Sequence, residues 1–405
     1  MDTDDMTEFS MPQKLENARV LMYSHDTFGL GHLRRCRALA HSLVGQFKGL
    51  SVLILTGSPI IGRFDFKARV DFVRIPGVIK LRNGEYTSLG LHINLEHTLA
   101  MRDSIILHTA DIFDPDLFIV DKEPLGLKGE VESTLKMLKR KGKPVVLGVR
   151  DVLDAPRFLR PEWESKNAVP ALSEYYEEIW VYGDAAMGDP LLGLDIPAAV
   201  RRRMVYTGYL PRSRPAVADS KHLSEIPRPY LLITPGGGGD GVEMVDWVLR
   251  AYESSADIPW HGVFVVGPFM AAADQQNFQQ RINALDNATF ISFESQMESL
   301  MEEAEAVVAM GGYNTFCEIL SFNKRALIIP RTTPREEQLI RGLHAAELGL
   351  IKLFDPRKRE SDACMVRAIK SLVDQAPPAD LMPEGFMSGL EVVNQRFIDI
   401  IRTFN

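Results

Sequence analysis

Cysteine is scarce in this chain, with three residues (Cys36, Cys317 and Cys364) among 405. An odd number at wide spacing fits neither a disulfide framework nor a zinc site, and a reducing compartment is the expectation. No apolar run approaches the ~20 residues that cross a bilayer. Residues 1–17 lack a basic segment followed by an apolar one, so no signal peptide is expected and the tail is read as disordered. Positive charge is in deficit, 46 Lys and Arg against 54 Asp and Glu for a net −8, which argues against nucleic acid as a partner. No short tandem repeat is visible. Cytoplasmic residence is the expectation. Peripheral contact with the inner membrane face is left open by the basic run KMLKRKGK ahead of residue 150.

What is present is material for a large core. Hydrophobic residues make up 45% and charged residues 25%, as in soluble globular proteins, and the length suits two domains. Short apolar strands alternate with helices in both halves, the pattern of α/β domains with doubly wound parallel sheets. Residues 18–206 read as one domain, the proline-bearing stretch 207–229 as a linker, and 230–388 as a second domain. Residues 389–405 read as a terminal helix able to return to the first domain.

Residues 305–349 organise the second half. An apolar run at 306–310 is broken by Gly311 and Gly312, and Asn314 and Thr315 are placed to cap a helix carrying Glu318. A second apolar run at 326–329 ends at Pro330, and a further helix opens on Glu336, Glu337 and Gln338 and closes at Gly349. Earlier, the strand at 230–234 runs into Gly236, Gly237, Gly238 and Gly239. Glycines there let the backbone approach a diphosphate and donate N–H groups to it. No Lys-Ser/Thr follows, so this is not a Walker loop, and no acidic residue closes a dinucleotide fingerprint. In the first half, Gly29 and Gly31 make a turn after the first strand and His32 opens a helix. Arg34 and Arg35 crowd its positive end, where an anion would offset their charge. Asp121 and Asp151 lie just past buried strands, the edge at which ligands bind in such sheets.

The order Gly311-Gly312-Tyr313-Asn314-Thr315, Glu318, Pro330, Glu337-Gln338 resembles the donor-binding domain of MurG-like glycosyltransferases of family 28, which adopt the GT-B fold. That resemblance implies a nucleotide-sugar donor, UDP-linked, and inverting transfer to a sugar, lipid-linked or small-molecule acceptor. By the same likeness Glu318 holds ribose hydroxyls, Glu337 and Gln338 hold sugar hydroxyls, and the turn at Phe293 and Glu294 holds the base. Two departures are plain: Met310 stands where the MurG branch usually has a basic residue, and the first loop lacks its Gly-Gly-His. The segment with Gly29, Gly31, His32, Arg35 and Cys36 is similar to a nucleotide-sugar hydrolase of pseudaminic acid synthesis as well. Hydrolysis, epimerisation and mere binding of a nucleotide sugar therefore stand as alternatives. His32 is the expected base, since imidazole titrates near working pH, with Asp121 and Asp151 behind it. No metal or cofactor is expected. Asp2-Thr3-Asp4 and Asp114-Pro115-Asp116 have the spacing of a cation-holding pair but lie away from the glycine loops.

Overall fold

The computed structural model describes residues 13–25, 31–80, 86–214, 222–237, 239–294, 296–358 and 360–404. Two parallel sheets carry the chain. The first contains β1 (Gln13–Ser24), β2 (Phe47–Thr56), β3 (Val70–Arg74), β6 (Leu117–Asp121), β7 (Val145–Arg150), β8 (Glu178–Tyr182) and β9 (Met204–Tyr206). A separate antiparallel hairpin, β4 (Val78–Lys80) and β5 (Tyr86–Ser88), stands beside it. The second sheet contains β10 (Tyr230–Thr234), β11 (His261–Val265), β12 (Ala288–Ile291), β13 (Ala306–Ala309), β14 (Arg325–Ile328) and β15 (Lys352–Leu353). The strand orders are β3-β2-β1-β6-β7-β8-β9 and β12-β11-β10-β13-β14-β15.

Every residue of β6, β10 and β13 is buried. Strands covered by helices on both faces must be apolar throughout, which is why LFIVD, YLLIT and AVVA do not alternate. Each buried Leu or Ile in them contributes about 1.5–3 kcal/mol relative to exposure. In both sheets the winding reverses at the first strand, so one crevice opens between β1 and β6 and another between β10 and β13. Ligands of doubly wound sheets bind outside the carboxyl ends of strands at such a point.

Several elements differ from expectation. β1 begins at Gln13, inside the expected tail, and slips register against β2 between Lys14 and Ala18. Residues 1–12, with Asp2-Thr3-Asp4, lie outside the described residues. Residues 76–98, whose mixed pattern predicts an irregular cleft-side loop before a helix at Thr98, hold β4 and β5, and the helix starts at Leu95, where Asn94 accepts the His97 N–H at 2.8 Å. β9 and β15 are edge strands of three and two residues, too short for a period to show. The first part of the linker packs down: Tyr209 is fully buried and stacks on Tyr313, while residues 215–221 lie outside the described residues. The terminal helix Gly389–Phe404 packs on the first domain, with Phe397 against Phe47 and Asn394 bonded to Ser42. One apolar cluster thus runs from β1 and β2 through Tyr209 into the second domain. Among the described residues no helix is long and apolar enough to cross a membrane.

Candidate functional site

The two crevices face each other. Asn314, in the first turn of helix Tyr313–Ser321, donates from Nδ2 to the carbonyl of Gly31 at 3.3 Å, joining the second domain to the opening of helix Gly31–Gln46. A methyl group on Gly236 would stand 3.8 Å from Thr315 Oγ1, and one on Gly312 would stand 3.8 Å from Gln338 Nε2. Gly236, Gly312, Thr315, Gln338 and Gly31 therefore converge on one space. Gly236 and Gly311 have φ of +82° and +77°, a conformation that costs other residues about 1–2 kcal/mol. These positive φ values turn the chain at the ends of β10 and β13. The helix itself is capped by the backbone of Gly312, not by Asn314 or Thr315 as expected. Its N–H groups at Tyr313, Asn314 and Thr315 precede the first intrahelical bond, from Phe316 to Gly312, and are available to an anion. Gly237 and Gly239 continue the loop, while Gly29 and Gly238 lie outside the described residues.

On the first domain, His32 Nδ1 contacts Asp121 Oδ2. Asp121 is buried. Burial would raise its pKa, but the Arg35 guanidinium and His32 outweigh that and hold it well below the usual carboxylate range. Arg35 Nη2 lies 2.9 Å from the same Nδ1; the tautomer with its proton on Nδ1 donates to the ionised Asp121 and has Nε2 as its basic nitrogen. Arg35 was expected at the donor. Instead it is buried and grips Asp121 with two bonds, Nε to Oδ1 at 2.8 Å and Nη2 to Oδ2 at 2.7 Å. Arg34 points to the other domain, within 2.5 Å of Glu298 Oε1 and 2.6 Å of Glu318 Oε1. The anions that offset the two arginines are thus the protein's own carboxylates. Glu318 is buried with a pKa pushed up, by desolvation first, against the pull of Arg34.

Asp151 is reassigned. Its carboxylate is enclosed and takes Arg341 Nε at 2.7 Å, Arg341 Nη2 at 2.6 Å and the Tyr209 hydroxyl at 2.6 Å, which leaves no place for a substrate proton. It is a bond between the domains, not a base. Asp114 and Asp116 bind Arg19 and Lys143 at the amino edge of the first sheet, opposite the crevice.

Around the start of helix Glu337–Glu347, Arg331 joins three groups. It gives Nη2 to Glu337 Oε1 at 2.5 Å, Nη1 to Asp240 Oδ2 at 2.5 Å, and its backbone N–H to Gln338 Oε1 at 2.9 Å. That turns the amide donor of Gln338 toward Gly312, and leaves Glu337 Oε2 buried without a partner. The turn after β12 exposes Phe293, 47% accessible, while Glu294 is buried and accepts the Gln296 N–H at 2.8 Å. The base expected there would meet backbone and an exposed ring.

Sequence reasoning missed Arg331, Arg341 and Arg212. Arg341 lies one turn beyond Glu337 on the inward face of its helix, a signal that was legible. Arg212, from the linker, donates to Asn314 Oδ1 at 2.9 Å. It had no signal beyond a basic residue between prolines.

Residues 245–349 match the glycosyltransferase family 28 C-terminal domain. No curated protein sequence matches the chain. Among solved structures it is similar to MurG of Acinetobacter baumannii, at 13% identity and TM-score 0.60 over 97% of this chain and 100% of that one. It is likewise similar to UGT2 of Phytolacca americana, solved with UDP-2-fluoroglucose and pterostilbene, at 13% identity and TM-score 0.62 over 96% of each chain. VinC, a glycosyltransferase solved with dTDP, superposes with TM-score 0.60 at 16% identity over 95% of this chain and 99% of that one.

Proposed function

We propose that this chain, a GT-B protein whose second domain is a glycosyltransferase family 28 C-terminal domain, transfers a sugar from a nucleotide diphosphate to an acceptor hydroxyl. One observation carries the reading. The glycine bends after β10 and β13 meet at Thr315, and the His32–Asp121 pair opens from the facing crevice, linked to them by the Asn314–Gly31 bond.

The donor, UDP-linked in this reading, lies with its diphosphate on the first-turn N–H groups of helix Tyr313–Ser321 and on the loop at Gly236 and Gly237. Glu318 takes the ribose hydroxyls in exchange for Arg34, which keeps Glu298. Glu337 Oε2 accepts from a sugar hydroxyl, and Gln338 donates beside it. The base lies against the turn at Phe293 and Glu294. His32 Nε2 accepts the acceptor's proton as its oxygen attacks the anomeric carbon, and the bond to the β-phosphate breaks with its electron pair leaving on the nucleotide. Asp121 stabilises the imidazolium. Backbone dipoles oppose the charge that develops on the leaving group, so inversion without a metal is the expected course. Contact with a membrane surface gains little support from the basic run. Lys136, Lys139, Lys141 and Lys143 each pair with a carboxylate: Glu132, Glu174, Asp111, and Asp114 with Asp116.

The test follows UDP and free sugar from UDP-sugars, with and without lysate-derived acceptors and with EDTA present. Acceptor-dependent UDP release that persists in EDTA is expected. Sugar and UDP appearing together without acceptor would establish the hydrolase instead. His32→Ala should lower turnover by about 10²-fold or more while UDP binding stays within about twofold; turnover that survives removes His32 from the reaction.

A further inference from the structure

Charged side chains at the cleft are satisfied almost throughout. Arg34, Arg35, Arg212, Arg331 and Arg341 each have the partners given above. Arg150 is different. It ends β7, next to Asp151 and opposite Tyr182 of β8, and is half-buried at the carboxyl edge of the first sheet. Among the described residues its side chain forms no hydrogen bond or ion pair and its Nε is buried; Arg212 and Arg331 share a buried unpartnered Nε, but their Nη groups are paired. Its charged neighbours are Glu337 foremost, then Arg341, Arg35 and Asp151. Asp151 is consumed by Arg341 and Tyr209, and Arg35 by Asp121, so no carboxylate of its own domain is left to Arg150. Across the cleft stands Glu337, which is not in ion-pair contact with Arg150; its Oε1 is taken by Arg331, and its Oε2 is buried and unpartnered. Two groups of opposite charge, one from each domain, thus influence one another over a gap that neither closes. A desolvated cation between two other guanidiniums is costly unless an anion accompanies it.

We propose that Arg150 and Glu337 together select the transferred sugar, and that this sugar is acidic, a nucleotide-diphosphate sugar bearing a carboxylate. The proposal rests on the donor-site reading above and narrows its substrate class. A sugar hydroxyl donates to Glu337 Oε2 while the carboxylate takes the planar fork of Arg150, a geometry that guanidinium and carboxylate share. A neutral hexose satisfies Glu337 and leaves Arg150 alone. Glu337, the residue assigned to the sugar hydroxyls, is the foremost charge acting on Arg150, which places the guanidinium on the sugar side of the donor.

The experiment is calorimetric titration of the full chain, as wild type, Arg150→Gln and Arg150→Lys, with UDP, UDP-glucose and UDP-glucuronate. Wild type should bind UDP-glucuronate about tenfold or more tighter than UDP-glucose, the advantage a charge-assisted pair confers. Arg150→Gln should erase that preference and leave UDP affinity unchanged. Arg150→Lys should keep part of it, as a point charge without the fork. Thermal melting of Arg150→Gln should be no lower than wild type, since it removes an uncompensated cation. Equal affinity of wild type for the two donors would overturn the inference, as would an Arg150→Gln variant that weakens UDP and both donors alike, or one that melts lower with binding unaltered. If neither UDP nor dTDP binds at all, the donor-site reading itself fails, a result separate from loss of the acidic preference.

Discussion

At the scale of single residues, ionisation separates the groups that hold the fold from those that do chemistry. Asp121 is held well below the usual carboxylate range because Arg35 and His32 outweigh the effect of burial. Glu123, also buried, is held there because Lys122 and Lys166 outweigh it. The unfolded chain protonates such carboxyls near pH 4 while the folded chain resists until lower, so acid favours unfolding. Their contribution should be full at neutral pH and fall away as pH drops below about 4. His25 acts in another window. Burial keeps its imidazole neutral in the folded chain, while the unfolded chain takes a proton below about pH 6.5. Stability should therefore decline as pH falls from 7 to 5, and His25→Asn should flatten that decline in urea melts while leaving the loss below pH 4 in place. A decline between pH 7 and 5 that is the same in the variant would assign it to other groups.

At the scale of elements, the two glycine bends look alike in sequence and differ in what surrounds them. A methyl group on Gly311 would meet Ile328 Cγ2 at 2.8 Å, a branched side chain with little room to yield, whereas one on Gly236 would, among the described residues, meet nothing closer than Thr315 Oγ1 at 3.8 Å. Both substitutions incur the ~1–2 kcal/mol of a left-handed residue. Gly311→Ala should lose more stability than that, through overpacking. Gly236→Ala should lose little beyond it, but its methyl enters the space assigned to the diphosphate and UDP affinity should drop about tenfold. Chemical denaturation and UDP titration of the pair separate the effects; equal UDP affinities would detach the first loop from the donor.

For the whole molecule, the domains are fastened by charges at the sheet edges and by the terminal helix. Asp154 accepts the Glu336 N–H at 2.9 Å and Arg335 Nη1 at 2.8 Å, so one domain holds the chain entering a helix of the other. Arg341 joins Asp151 and also donates to the Gly311 carbonyl at 3.1 Å. Deleting one partner of such a buried pair typically costs about 3–5 kcal/mol, because the other is left charged and unsolvated. Arg341→Met should therefore destabilise strongly, and Asp151→Leu added to it should recover much of the loss. Urea melts check this. A double variant no more stable than the single one would show that the cost lay in the Gly311 contact instead.

Which parts of this protein were legible before folding follows from the range of the forces involved. Buried parallel strands must be largely apolar and glycine bends must be glycine, so the two doubly wound domains and the bend at Gly311 could be read along the chain, whereas the helix cap expected at Asn314 or Thr315 fell to Gly312. The pairing of His32 with Asp121, the capture of Arg34 and Arg35 by acids up to 284 positions away in the chain (the separation of Arg34 and Glu318), and the closure of Asp151 by Arg341 could not. A charge in sequence carries no record of which opposite charge will be brought beside it. Only the docking of the two domains decided which carboxylates became fastenings and which polar atoms, Glu337 Oε2 and Arg150 Nε among them, were left buried without a partner among the described residues.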